Sequence, residues 1–91
     1  MKHDEFEAAL LRDGFAAGEG SMEPNARRPA HAHDYDVRAL VLSGEITLGC
    51  GDAPPRTYRV GDVFSMDAGL PHSEAVGPEG VRYLVGRRHK S

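Results

Sequence analysis

Short β-like segments separated by turn residues follow one another from His31 to Arg88. Branched and aromatic residues favour extended backbone, whereas the Gly and Pro residues between the segments favour turns. Many short strands at such close spacing predict an antiparallel barrel or sandwich. The predicted strands are Val37–Leu42, Glu45–Leu48, Arg56–Val60, Val63–Met66, His72–Val76 and Val81–Val85.

The first thirty residues have a different composition. Apolar residues recur at helical spacing between Asp4 and Phe15, which predicts one short helix. Residues 16–30 are rich in Gly, Ala, Pro and Asn, so we expect a connection with at most a short strand around Gly20–Glu23. A chain of 91 residues holds one hydrophobic core. We therefore predict one domain, with an N-terminal helix and arm over residues 1–30 and a β-barrel over residues 31–91.

Charge and hydropathy argue against several classes of partner. The formal net charge is −3 at pH 7, so no basic field attracts nucleic acid or an anionic membrane. The longest strongly apolar run, Ala39–Leu42, is far shorter than the roughly 20 residues that cross a bilayer. Acidic residues stand where a signal peptide has its apolar region, and the single cysteine, Cys50, excludes an internal disulfide. We expect a cytoplasmic protein.

Histidines are the side chains that point most directly to a function. His31 and His33 are two residues apart just before a predicted strand, so in extended backbone both point to one face. His72 begins another strand and suits a third ligand from across a barrel. Imidazole binds zinc, copper, iron or nickel, and three such ligands leave positions open for water or substrate. An isolated His-x-His pair in a surface turn is more often solvated, so the spacing alone leaves that alternative open.

The region from His31 to Val76 resembles the two sequence motifs of the cupin family of small β-barrels. The first motif has His-x-His, then a Glu about four residues on, and then a Gly. His31, His33 and Gly44 match this pattern, and Val37 stands at the position of the Glu. The missing carboxylate is the main departure from the family.

The second cupin motif is matched over its glycines and its histidine. Gly61, Gly69 and His72 are in register with it, whereas Asp67 replaces a Pro and Val76 replaces an Asn. The resemblance implies an all-β fold, the double-stranded β-helix or jelly-roll barrel of cupins, here with one short N-terminal helix. It also implies a divalent transition metal, namely zinc, iron, manganese or nickel, on the three histidines.

The missing Glu leaves two models of the metal site. In the first, Asp36 is a fourth ligand, which requires a bulge at Asp34–Tyr35 because Asp36 otherwise points away from the histidines. In the second, the site has three histidines, and Asp36 lies on the outer face or orients a histidine. A surface acid beside Arg38 is a further interpretation of the same residue. The first model restores the family pattern, so Asp36 is predicted as a ligand.

Two side chains are predicted to act on a bound molecule. Glu74 is two residues after the third histidine and shares its face of a regular strand. It is a candidate fourth ligand or general base, and the alternative is a rim carboxylate paired with Arg56 or Arg82. Tyr35 offers a phenolic hydroxyl that donates a proton or orients a substrate oxygen, as does Tyr83, although large β-formers more often simply pack.

The predicted function is a metal-binding cupin-domain protein that binds or converts a small oxygenated organic molecule, with the reaction unspecified. The alternative is a non-catalytic module that binds or senses a small molecule or a metal, and a structural barrel with an empty pocket is the third possibility. A homodimer is expected because a short barrel leaves sheet edges to cover. Arg87, Arg88 and Lys90 are expected to form a solvated tail.

Overall fold

The computed structural model describes residues 2–89, and within them nearly all regular structure is antiparallel sheet. The elements in chain order are α1 (His3–Arg12), β1 (Ala16–Met22), β2 (Arg27–His31), β3 (Tyr35–Gly49), β4 (Arg56–Arg59), β5 (Val63–Met66) and β6 (His72–His89). The prediction of an all-β fold with one short N-terminal helix is confirmed. Over the described residues, no helix has the length and apolar character that a membrane span requires.

Two long strands, β3 and β6, pair with each other and carry the shorter strands on their outer sides. The first half of β3 pairs with β5 and its second half with β4, while β6 pairs with β2 and β1. The pairing of β3 with β6 shifts register on both sides of Ser43 and Gly44. Gly44 has a φ of 74°, and a Cβ there would overlap the carbonyl oxygen of Gly80. The sequence predicted separate strands here, but the glycine bends one continuous strand instead of ending it.

The N-terminal arm differs from its prediction because it contains two strands of the sheet. β1 pairs with β6 from Ala16 opposite Arg87 to Met22 opposite Val81, and β2 pairs with the beginning of β6. Glycine has low strand propensity, which hides β1 in the sequence. Its Gly20 is required by packing, because a Cβ at this position would overlap the ring of Tyr83.

The residues of β3 and β6 bury two apolar clusters, one on each face of the sheet. The larger cluster fills the barrel and consists of Val37, Ala39, Val41, Ile46, Leu48, Phe64, Met66, Val76, Val81 and Val85. The smaller lies under α1 and consists of Phe6, Leu10, Phe15, Leu40 and Leu84. Alternation along the strands explains the division, because successive side chains point to opposite faces. The helix thus covers the outer face, and the barrel interior opens toward the histidines.

Candidate metal centre

Three histidines from separate parts of the chain lie together at one end of the barrel. His31 is the last residue of β2, His72 is the first residue of β6, and the two are directly opposite each other in the sheet. The ring centroids of His31 and His72 are 4.4 Å apart, and that of His33 is 5.0 Å from each of them. One ligand atom from each side chain lies within 4.8 Å of the other two. Nitrogens bound to one tetrahedral ion at about 2.1 Å are roughly 3.4 Å apart, so the three rings would close somewhat further around an ion.

Backbone carbonyl groups fix the tautomers of two of these rings. Nδ1 of His31 is 2.8 Å from the carbonyl oxygen of Pro29, and Nδ1 of His72 is 3.2 Å from that of Leu70. Because a carbonyl oxygen only accepts, Nδ1 donates the hydrogen in both rings, and Nε2 of the neutral ring keeps its lone pair. Both Nε2 atoms are buried and lack a hydrogen-bond partner among the described residues. This is the arrangement of a metal-ligating imidazole and its supporting carbonyl group.

His33, in the connection between β2 and β3, offers the third imidazole nitrogen. Its ring stacks on Tyr35, with centroids 4.8 Å apart and an angle of 16° between the planes. Burial lowers the pKa of His33, and the rings of His72 and His31 lower it further. His33 is therefore neutral at pH 7, which is the form that binds a metal ion.

Glu74 adds a carboxylate beside the histidines. Its Oε2 atom is 3.2 Å from Nε2 of His31, and the carboxylate side chain is 11% exposed. Both atoms are buried and lack a hydrogen bond, as expected when Nε2 of the neutral ring holds a lone pair and no hydrogen. Neither arginine that the sequence offered as an alternative partner holds this carboxylate: Arg82 pairs with Glu19, and Arg56 lies over Tyr58. The residues whose ligand atoms lie within 4.8 Å of one another are the three histidines, so the carboxylate of Glu74 borders this cluster without being part of it.

Asp36 does not lie with the histidines, in contrast to the first model of the site. The register of β3 against β6 runs without a bulge from Tyr35 to Val41. Tyr35 and Val37 line the cavity, so the side chain of Asp36 between them points to the opposite face of the sheet. Its Oδ1 atom accepts a hydrogen bond from the backbone N–H of Ala68 at 2.8 Å. Its Oδ2 atom accepts one from Arg88 at 3.1 Å. The carboxylate is 8% exposed, so the interpretation as a surface acid beside Arg38 is also wrong.

A cavity of about 90 Å³ opens beside the histidines into the barrel. Its polar lining includes His33, Glu74, Tyr35 and Tyr83, and its apolar walls come from the barrel core. Burial raises the pKa of Tyr83, and the carboxylate of Glu74 raises it further. The phenol of Tyr83 therefore stays protonated at neutral pH and is a hydrogen-bond donor within the cavity.

Two arginines at this cavity were missed by the sequence analysis. Arg28 of β2 and Arg87 of β6 both line it, whereas Arg87 was expected in a solvated tail. The signal was present in the alternation of β6, because Tyr83, Val85 and Arg87 are two residues apart and all line the cavity. Arg88 is also not a free tail residue, since it binds Asp36. Lys90, the last of that predicted tail, lies outside the described residues.

Solved structures with similar folds include proteins of different kinds. The DMSP lyase DddQ from Ruegeria pomeroyi is 27% identical with a TM-score of 0.74, and the match covers 86% of this chain and 40% of the lyase. The cupin domain of Cnp3 from Schizosaccharomyces pombe is 24% identical with a TM-score of 0.71, and the match covers 85% of this chain and 54% of that one. An RmlC-like cupin from Shewanella frigidimarina is 19% identical with a TM-score of 0.69, over 85% of this chain and 68% of that one.

The family is established by a comparison of the sequence with family models. No curated protein matches the chain. The model of the cupin domain, Cupin_2, matches residues 18–86, which include most of β1, all of β2 to β5, most of β6 and all three clustered histidines. This match spans most of the chain and agrees with the barrel and with the motifs that the sequence analysis identified. The chain belongs to the cupin family.

Proposed function

We propose that this cupin holds a divalent transition metal ion on His31, His33 and His72 and binds a small oxygenated organic molecule in the adjoining cavity. One observation carries the proposal. Three buried side-chain atoms, Nε2 of His31, Nε2 of His72 and Oε2 of Glu74, have no hydrogen-bond partner among residues 2–89. Buried polar atoms without partners cost about 1–3 kcal/mol each, and a cation held by the histidines removes that cost for both Nε2 atoms.

The surrounding residues support chemistry on a bound molecule as well as binding. A divalent ion supplies Lewis acidity toward an oxygen of the ligand. Glu74, with its carboxylate facing the cavity, is proposed as the general base or as a fourth ligand. Tyr35, stacked on His33 at the cavity wall, is proposed to donate a proton to a ligand oxygen or to orient it. The DMSP lyase among the similar structures supports a small organic molecule as the class of ligand.

The metal site is tested by elemental analysis of protein purified without an affinity tag. We expect about one equivalent of a transition metal in the wild type and a loss of at least about 90% of it in His72→Ala, because a ligand is removed. His3→Ala is the matched control, since His3 lies on α1 away from the cavity, and it keeps the metal. An unchanged metal content in His72→Ala would show that the proposed site is wrong.

Turnover separates the proposed conversion from the alternative of a binding or sensing module. Small acids, sugars and diketones are screened with iron, manganese, nickel and zinc forms of the protein. Loss of turnover in Glu74→Gln with retained metal supports a catalytic base at this position. Stabilisation by a ligand without turnover in the wild type identifies a binding module instead. The homodimer and the cytoplasmic location remain predictions, the first to be tested by light scattering.

A further inference from the structure

Arg28 and Arg87 bring positive charge to the cavity, and neither forms an ion pair with a carboxylate. Glu74 is directly opposite Arg28 in the sheet, yet its carboxylate is beside His31. The guanidinium of Arg87 lies over the ring of Tyr35, 5.6 Å from its centroid. Within residues 2–89, neither arginine has an acidic group within the 4 Å of an ion pair. Both guanidinium groups are therefore available to a ligand.

The two arginines act on the same space as the other polar groups of the cavity. The phenol of Tyr83 responds to all of these groups. Burial and the carboxylate of Glu74 raise its pKa, and the charges of Arg28 and Arg87 offset part of that rise. Two guanidinium charges against one carboxylate leave the cavity positive even before a metal ion is counted. A concave site with an excess of positive charge attracts and concentrates anions.

The cavity limits the size and the shape of such an anion. Its volume of about 90 Å³ is about that of three water molecules, so it admits only a group of a few heavy atoms. Val37, Ile46 and Val85 are among its apolar walls, which suit a short hydrocarbon segment. A planar carboxylate matches the fork of a guanidinium group and forms paired, charge-assisted hydrogen bonds with it.

We propose that Arg28 and Arg87 bind the carboxylate of a short-chain organic acid, with the remaining polar atoms of that acid toward the histidines. This proposal rests on the proposed function and names its class of ligand. The arginines select the anion at the mouth of the cavity, and the apolar walls limit its chain length. A neutral amide of the same shape offers one acceptor oxygen and no charge, so it forms weaker hydrogen bonds with the guanidinium groups and binds more weakly.

Isothermal titration calorimetry of the zinc-loaded protein with lactate and lactamide tests the charge requirement. The two probes have nearly the same shape and differ in the carboxylate. We expect lactate to bind at least about tenfold more tightly, as the loss of a charge-assisted pair predicts. Equal affinities, or no measurable binding of lactate, overturn the proposal. Inorganic phosphate is titrated as well, and binding of phosphate in preference to lactate overturns the assignment of a carboxylate.

Four arginine variants test which guanidinium groups bind the anion. Arg28→Gln and Arg87→Gln are each expected to weaken lactate binding by about tenfold or more. Arg27→Gln on β2 and Arg82→Gln on β6 remove the same charge from the same strands. All four arginines are exposed, and these two differ from Arg28 and Arg87 in lying outside the cavity lining. These two controls are expected to bind lactate as the wild type does. Equal weakening in all four variants points to a diffuse charge effect and overturns a site at Arg28 and Arg87.

The zinc content of each variant separates the two proposals. Full zinc content with unchanged lactate affinity in Arg28→Gln and Arg87→Gln overturns the anion site and leaves the metal site standing. Failure of the wild type to hold zinc contradicts the proposed metal site. In that case lactate titration of the same metal-free protein still tests whether Arg28 and Arg87 bind a carboxylate, because the guanidinium groups are present without a metal ion.

Discussion

The two faces of the sheet differ in whether their polar groups have hydrogen-bond partners within the chain. Beneath α1, Arg38 donates to Asp13 at 2.8 Å and Arg88 donates to Asp36 at 3.1 Å. Both guanidinium groups lie over the ring of Phe15, each 4.6 Å from its centroid. We call the region formed by these two ion pairs and the apolar cluster under α1 the helix-side face. At the other face, the histidine cavity contains buried nitrogen and oxygen atoms that lack partners.

This contrast separates a region that stabilises the fold from one that is built to bind. Native proteins satisfy nearly all their buried polar groups, so exceptions require an explanation. The ion pairs and the packed core of the helix-side face are complete within the chain and hold the helix on the sheet. On the proposed function, the groups of the histidine cavity find their partners in a cation and a ligand, as expected of a functional site. Changes on the two faces should therefore affect different measurements.

The largest expected effect is on the stability of the helix-side face. Leu10 is fully buried, and a Cβ on Gly86 of β6 would overlap its side chain, which shows how closely the helix packs. Leu10→Ala is expected to lower the free energy of unfolding by about 2–5 kcal/mol, measured by urea denaturation. Leu11, which is 61% exposed, is the control, and Leu11→Ala should change it by less than about 0.5 kcal/mol. Similar losses in both variants would contradict the packing of α1.

The next effect belongs to the histidine cavity and requires a metal. Free zinc at about 100 times its dissociation constant is expected to stabilise the wild type by about 2.7 kcal/mol through linkage. His33→Ala should lose this zinc-dependent stabilisation, as followed by thermal denaturation with and without zinc. His89→Ala is a strict control, because His89 lies near Tyr35 but outside the cluster of three histidines. If His89→Ala lost the zinc-dependent stabilisation and His33→Ala kept it, the zinc site would not be the cluster of three histidines.

A smaller effect distinguishes the two models of the metal site. Asp36→Asn removes the charge that pairs with Arg88 while the side-chain oxygen can still accept from Ala68. We expect a loss of about 1 kcal/mol of stability and an unchanged metal content. A protein that keeps its stability but loses its metal would restore Asp36 as a ligand and remove it from the helix-side face.

The smallest expected effect is a dependence of stability on pH at the helix-side face. The hydrogen bond from Arg38 lowers the pKa of Asp13. Because the folded-state pKa is below the unfolded value, the pair contributes stability above pH about 4, and this contribution is lost as pH falls through the lowered pKa. The difference in stability between wild type and Asp13→Asn should therefore shrink between pH 7 and pH 2.5. A difference that stays constant over this range would exclude the pair as its source.

The sequence predicted the barrel and the convergence of the histidines better than it predicted the orientation of charged side chains. The spacing of His31 and His33 and the motif around His72 point to residues that the structure does bring together. The facing of Asp36 depends on whether β3 has a bulge, and β-propensity does not determine that. The alternation of β6 indicated the facing of Arg87, but without the partner strands it did not show that this face lines a cavity. β1 was not predicted because glycine has low strand propensity, and the glycine at position 20 leaves room for the ring of Tyr83.

The central claim is that three imidazoles of this chain bind one divalent ion and leave positions open. X-ray absorption at the zinc edge, on untagged zinc-loaded protein, counts the nitrogen and oxygen neighbours of the ion and identifies imidazole rings by their scattering. We expect three imidazoles at about 2.0–2.1 Å with one or more oxygen ligands. An ion surrounded by oxygen alone, or bound by a single imidazole, would contradict it.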